Sequence, residues 1–294
     1  MSDVKDQDDL KIGFIGIGAM GLPMARNLHD AGFAVTVVDP SEHQRGRAEE
    51  IGMTAAASAS ELGDSTLVII MVANSAQLLG LLDEQALFGK GSLLRTAIIT
   101  STVGPPAVHE FAQRAAAHDV EVIDLAVTGG VAGATGGTLT LLAGAPSAAI
   151  DSARPILERL GTVTICGDRP GDGQAVKLVN NLVAAVNLAA VAEGIRFAAG
   201  LGLDPANVVE IIRNGAAGSW MLSERGPRMA VPRTERSFDT HAAIFAKDTA
   251  LIGAVAEDHG TKVPLLGVVE AQFARAVEAG WANEDDTCIV DLEF

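Results

Sequence analysis

Short apolar runs, each closed by glycine, a turn residue or a charge, recur through the first half of the chain. Lys11 to Ile15 reads as a buried strand, followed by a helix to about Gly32 and a second strand, "AVTVVD", ending at Asp39. "STLVIIMVAN" predicts a strand ending at Asn74, and "LLRTAIITSTV" one ending near Ser101, Thr102 and Val103. "DVEVIDLAV" predicts another, closing near Val127. Helical stretches, roughly 75–84 and 105–118, separate them. "TLTLLAG" alternates like a strand, "APSAAIDSARPILERLG" has one apolar helical face, and "TVTICG" reads as a last short strand. Strand–helix alternation of this kind predicts a parallel sheet with ligands at the C-terminal strand ends.

After Gly173 the strand patterns stop. "GQAVKLVNNLVAAVNLAAVAEGIRFAAGLG" predicts one helix of about 27 residues, apolar nearly all round and therefore buried, in part against another subunit. Asp204-Pro205 marks a helix start, with Asp as cap and Pro in the first turn, and further helices fall near 241–260 and 265–279. The expected fold class is α/β: an N-terminal Rossmann doubly wound sheet over residues 1–170, then an all-α C-terminal domain over 171–294.

Composition narrows the function. Of 294 residues, 48% are hydrophobic and 20% charged, which suits a globular chain. A net charge of -16 repels phosphate backbones and anionic lipid, so neither nucleic acid nor membrane is an expected partner. The N-terminal "MSDVKDQDDL" does not read as a signal peptide. The two cysteines, Cys166 and Cys288, form no framework, which fits a reducing, cytoplasmic setting. The six histidines and scattered carboxylates form no ligand set, so no metal is expected. His241 reads as a helix residue.

The chemistry begins at "GFIGIGAMGLPMARNL". Gly16, Gly18 and Gly21 give G-x-G-x-x-G between a strand and a helix, with Ala19 and Met20 inside it. Gly16 permits the tight turn, Gly18 lets a pyrophosphate approach the backbone, and Gly21 lets helix and sheet pack closely. Asp39, about 20 residues on, suits the ribose hydroxyls and repels a 2′-phosphate, which favours NAD over NADP. Arg45 and Arg47 read as a solvated helix face, with a fold back toward the Asp39 turn as the alternative. Val72, Asn74 and Thr102 stand at predicted strand ends and are candidates to line the cofactor cleft, or simply to pack there. "DLAVTGGVAGATGGTLTLLAG" reads as a glycine-rich loop whose amides converge as a nest on a carboxylate, with Thr128 adding a hydroxyl, or as a flexible glycine-rich loop without a guest. On the long helix, Lys177 and Asn181 are four apart and share a face, while Asn180 points about 100° away. A desolvated lysine favours its neutral form and can take a hydroxyl proton. A lysine snorkelling at a domain junction fits the spacing equally well.

The chain resembles the β-hydroxyacid dehydrogenase family over almost its whole length, with four motifs in the right order. "GFIGIGAMGLPMARNL" is similar to its cofactor fingerprint and "DLAVTGGVAGATGGTL" to its substrate motif. "GDGQAVKLVNN" resembles its catalytic motif, and "FAKDTALIGAVAEDHG" a second cofactor motif. The resemblance implies Lys177 as catalytic residue with Asn181 as substrate partner. It also implies a carboxylate on Thr128, Gly129 and Gly130, and Lys247 and Asp248 near the nicotinamide. A homodimer or homotetramer is implied as well. Ala126 and Thr128 depart from the family's Pro and Ser, which leaves the identity of the acid open. Lysine at position 177 argues against the related imine reductases, which generally lack it; such a reductase, or a non-catalytic NAD sensor, is the alternative. "NGAAGSWMLSERGPRM" corresponds to a substrate-facing stretch, with Ser219 and Trp220 at the distal end of a small carboxylate-bearing substrate. Arg225 or Arg228 are candidates for a second anion, with ordinary surface arginines the commoner reading. This stretch is also similar to the L-threonate dehydrogenase branch; glycerate and 3-hydroxyisobutyrate types remain alternatives.

Overall fold

The computed structural model describes residues 10–82, 87–88 and 91–293. The N-terminal segment read for a signal peptide, and the end of the helix expected over 75–84, lie largely outside them. The chain forms two compact units, Met1–Lys177 and Leu178–Phe294.

The first unit is built on one sheet. Its strands are β1 (Lys11–Ile15), β2 (Ala34–Val38), β3 (Thr54–Ala56), β4 (Leu67–Ile70), β5 (Thr96–Ile99), β6 (Glu121–Thr128), β7 (Leu139–Gly144) and β8 (Gly161–Gly167). The helices between them are α1 (Gly21–Asp30), α2 (Glu42–Glu49), α3 (Ser75–Gly80), α4 (Pro105–Ala116), α5 (Gly130–Gly136) and α6 (Ser147–Leu157). The strand order is β3-β2-β1-β4-β5-β6-β7-β8. Its first six strands carry the parallel 3-2-1-4-5-6 order of a doubly wound dinucleotide fold. The order reverses between β1 and β4, so the β1 and β4 tips flank the crevice where such folds bind ligands. Two apolar layers cover the sheet. One holds Phe14, Ile69, Ile98 and Leu141 with the inward faces of α1 and α6; the other holds Ile70, Ile99, Val108 and Phe111.

Two local readings change. The sheet is not wholly parallel: β7 runs antiparallel to β6, pairing Thr128 with Thr140 and Asp124 with Gly144. A parallel crossover needs about a dozen residues or more, and the link from Thr128 to Leu139 is shorter. The glycine-rich stretch after Thr128 is also not an open loop, because Gly130–Gly136 closes into α5. It packs on α1, where the Asn27 side-chain amide donates to the Ala134 carbonyl at 2.8 Å.

Helix α7 (Asp172–Gly200) begins in the first unit and continues into the second. The rest of the second unit is α8 (Pro205–Ile212), α9 (Trp220–Met229), α10 (Ala242–Asp258) and α11 (Pro264–Glu278), with a 3₁₀ segment at Asp286–Asp291. Asp204 caps α8 as expected, accepting from the Ala206 amide at 3.2 Å. Leu188, Ala192, Phe273 and Ile289 lie at the centre of the helical core. By length and composition α7 would pass for a membrane span. Here it contributes Ala185, Leu188, Ala192 and Ile195 to that core, and Arg196 on it donates to the Ile289 carbonyl at 2.9 Å. Val179, Val183 and Phe197 on the same helix are more than half exposed in the single chain.

Candidate active site

At the β1 tip each fingerprint glycine has a separate cause. Gly16 has φ +88°, and a Cβ there would stand 2.2 Å from the Met71 carbonyl oxygen, so the turn is packed directly against the β4 tip. A Cβ on Gly21 would stand 2.0 Å from the Gly16 carbonyl oxygen, which closes α1 onto the turn. A Cβ on Gly18 would meet nothing within 4 Å. Gly18 is thus the one glycine of the three that intramolecular packing does not explain, as a backbone approached by a pyrophosphate requires. The Gly16 and Ile17 amides are engaged by the Val38 carbonyl and by Asp39. From Gly18 through Ala19 and Met20 to Gly21 the chain enters α1, whose first turn offers amides and a positive dipole end to an anion.

Asp39 directly follows β2. Its carboxylate accepts from the Ile17 amide at 3.1 Å and the Ser41 amide at 2.9 Å, one bond per oxygen. Further lone pairs remain for ribose hydroxyls. Arg45 is not merely a solvated helix residue. It folds back onto this turn and donates to the Asp39 carbonyl at 2.8 Å and the Pro40 carbonyl at 2.9 Å. The residues therefore fit an adenine dinucleotide: an open glycine for the pyrophosphate and a fixed carboxylate for the ribose.

Strands β4 and β5 end at Ile70 and Ile99, short of the ends expected at Asn74 and near Ser101 to Val103, so Val72, Asn74 and Thr102 lie in the connections just beyond them, where their groups are constrained. The Val72 amide is held by the Ser101 hydroxyl at 2.7 Å. Asn74 spends its side-chain oxygen capping α3, accepting from Gln77 at 2.9 Å. Thr102 is half-buried in the turn after β5. Thr128 ends β6 half-buried, and Gly129 and Gly130 follow at φ +129° and +62°. A Cβ on Gly130 would meet nothing within 4 Å, so this backbone also faces open space.

The start of α7 shows why "GDGQ" precedes the lysine. A Cβ on Gly171 would stand 2.3 Å from His109 Nε2, and one on Gly173 2.3 Å from the Leu142 carbonyl oxygen, so the helix start is pressed onto the sheet. Beneath it lies Asp124, fully buried in β6. Its Oδ2 accepts from the Gly171 amide at 3.0 Å and the Gln174 amide at 2.8 Å. Burial raises this carboxyl to about 6, against the pull of those bonds and of the Gln174 side chain. Sequence reading passed over Asp124, Gln174 and Ser101. The signal was a carboxylate and an amide placed inside apolar segments, where polar groups persist only with partners.

Lys177 is half-buried one turn further along α7. Asn181, four residues on, donates to Asp248 Oδ2 at 2.7 Å. The other oxygen of Asp248 lies 2.9 Å from Lys247 Nζ. Asp248 is buried on α10 and orients Asn181. Ser219 caps α9, its hydroxyl accepting from the Leu222 amide at 3.0 Å, while Trp220 stands 60% exposed with Arg225 5.2 Å over its ring. Arg225 and Arg228 are not surface arginines awaiting a second anion. Arg225 is buried and paired with Asp239 and, at 3.1 Å, with Asp286; Arg228 pairs with Asp285. Burial raises the Asp286 carboxyl to about 7, with neighbouring Asp285 adding to it and Arg225 opposing. His241 precedes α10 as its cap residue, with Nδ1 3.0 Å from the Asn283 carbonyl.

Residues 11–167 match the family described as the NAD binding domain of 6-phosphogluconate dehydrogenase. Residues 171–292 match the family described as NAD-binding of NADP-dependent 3-hydroxyisobutyrate dehydrogenase. L-threonate dehydrogenase of Escherichia coli K12 is 29% identical, over 98% of this chain and 96% of its own. The 2-hydroxy-3-oxopropionate reductase of the same organism is 31% identical, over 96% of each chain. The crystal structure of 3-hydroxyisobutyrate dehydrogenase from Salmonella typhimurium matches with a TM-score of 0.84 at 28% identity, covering 96% of this chain and 99% of that one. With an open dinucleotide fingerprint at the sheet's switch point and full-length similarity to such enzymes, the chain belongs to the β-hydroxyacid dehydrogenase family, oxidoreductases acting on a CH–OH group with NAD or NADP.

Proposed function

We propose that this protein oxidises a four-carbon sugar acid of the L-threonate type, with Lys177 as the proton acceptor. The observation carrying the reading is the Lys177–Asn181 pair on one face of α7, with Asn181 held by buried Asp248 at 2.7 Å. A hydrogen-bonded amide of this kind is a fixed donor or acceptor for a substrate hydroxyl, one turn from an amine that can take its proton. The Gly18 backbone and the first turn of α1 bind pyrophosphate, and Asp39 binds the adenosine ribose and favours NAD. Val72, Asn74 and Thr102 line the same strand ends. The nicotinamide, when bound, supplies the hydride acceptor.

Thr128 and the amides of Gly129 and Gly130 take the substrate carboxylate, supported by the open backbone at Gly130. Lys177 Nζ accepts the hydroxyl proton as hydride leaves the same carbon, and in the reverse direction returns it. Ser219 and exposed Trp220 are the candidates for the substrate's distal hydroxyls, and Lys247 and Asp248 for the nicotinamide. The L-threonate assignment rests on the α9 stretch and on similarity to the L-threonate dehydrogenase of Escherichia coli K12. The working form is a homodimer or homotetramer in a reducing, cytoplasmic setting, consistent with free Cys166 and Cys288.

NAD and NADP reduction against L-threonate, D-erythronate, 3-hydroxyisobutyrate, glycerate and L-serine tests the substrate. NADH formation fastest with L-threonate is expected. Turnover confined to 3-hydroxyisobutyrate or L-serine contradicts the sugar-acid assignment, and silence across the panel with NAD still bound contradicts the reaction.

A further inference from the structure

The polar node beneath the start of α7 is fully specified. Gln174 and Asp124 are both 0% exposed. Gln174 Oε1 accepts from the Val103 and Gly104 amides, each at 3.0 Å. Its Nε2 donates to the Ser101 carbonyl and to Asp124 Oδ1, also each at 3.0 Å. The two N–H groups facing Oε1 prevent the side-chain amide from flipping, because a flip would set donors against donors. Nε2 therefore points at Asp124, which must present an acceptor there. With Oδ2 already accepting from Gly171 and Gln174, Asp124 meets donors at both oxygens.

This polarity connects three pieces of the first unit. The turn after β5 carries Thr102, and its Ser101 hydroxyl holds the Val72 amide at 2.7 Å. Strand β6 carries Asp124 and ends at Thr128. Helix α7 carries Gln174 three residues before Lys177, so a shift or rotation of its first turn moves both. A polar plug serving only stability would need satisfied bonds. It would not need them to run from the cofactor-side strand ends to the turn that bears the lysine.

We propose that Gln174 and Asp124 are a positioning pair that sets Lys177 against the β4 and β5 tips, a role resting on the reading of Lys177 as proton acceptor. Neither touches the reacting atoms. Their effect is registration of the amine with the bound cofactor and acid, where displacement of about 1 Å costs on the order of a hundredfold in rate.

A polarity swap tests it. Gln174→Glu sets a carboxylate oxygen against the Ser101 carbonyl and Asp124. Asp124→Asn keeps its oxygen toward the Gly171 and Gln174 amides and turns its NH₂ onto Gln174 Nε2. In the double variant the new amide on β6 donates to the new carboxylate on α7, and only the Ser101 carbonyl stays opposed. All three, with Lys177→Ala, are assayed with NAD and whichever acid of the panel turns over. Tm and NAD affinity are measured on each.

Each single variant is expected to lose about tenfold or more in kcat with KM and NAD affinity changed less than about threefold, and the double to recover most of the loss. Loss of kcat that follows Tm, with no recovery in the double, makes the pair structural and overturns the proposal. So do single variants at wild-type kcat beside an inactive Lys177→Ala. Near-normal turnover in Lys177→Ala instead removes the underlying reading of the lysine. If Gln174→Glu does not fold, kcat of Asp124→Asn against Lys177→Ala decides.

Discussion

At the residue scale, the three fingerprint glycines separate folding from binding. Gly16 and Gly21 face backbone oxygens at 2.2 and 2.0 Å from where a Cβ would sit, whereas Gly18 faces open space. Gly16→Ala is expected to cost about 1–3 kcal/mol or more, from the positive φ and the clash with Met71. Gly18→Ala is expected to leave Tm within a degree or two but weaken NAD binding roughly tenfold, because the methyl occupies the pyrophosphate's approach. Thermal melts with and without NAD separate the two. Equal loss of Tm in both variants would count against the cofactor reading of this turn. These glycines were legible in the sequence because spacing and context were sufficient. Asp124 and Gln174 were not, since their partners lie far along the chain and a lone polar residue in an apolar run carries no address.

At the element scale, hydrophobic periodicity located the strands it anticipated, the helix start at Asp204 and the long α7, because each buries a repeating face. It missed β3, only three residues long, and the antiparallel turn-back of β7. Strand direction depends on connection length and packing, which an alternating pattern does not encode. Glycine density likewise suggested a loop where α5 forms, since close packing against Leu139 and α1 outweighs glycine's poor helix propensity. The arginines of α9 show the same limit. Their carboxylate partners, Asp239 in the next connection and Asp285 and Asp286 far along the chain, leave no local signal, so sequence offered the arginines only a second anion or the surface. Arg225→Met should strand Asp239 and Asp286 and cost about 3–5 kcal/mol in urea unfolding. A change under about 1 kcal/mol would show that the pair is not holding α9 to the C-terminal segment.

At the scale of the whole molecule, the two raised carboxyls give stability a definite pH slope. Asp124 is pushed up to about 6 and Asp286 to about 7, both above the ordinary 3.8. The folded state therefore holds their protons more tightly than the unfolded chain does. Their favourable contribution is complete below about pH 4 and is lost as pH rises through 6 and 7. In Asp286→Asn the fall in stability between pH 5 and 7.5 should be shallower than in wild type, whatever the absolute Tm. An unchanged or steeper slope would contradict burial as the dominant influence on that carboxyl.

The central claim is that Lys177 moves the proton. The most direct measurement is single-turnover NADH formation by wild type and Lys177→Ala, at saturating NAD and the acid that turns over, with NAD affinity measured in parallel. The account predicts a loss of about a hundredfold or more with NAD affinity retained, the scale of a missing general base. A rate within a few-fold of wild type would contradict it and place proton transfer on another group.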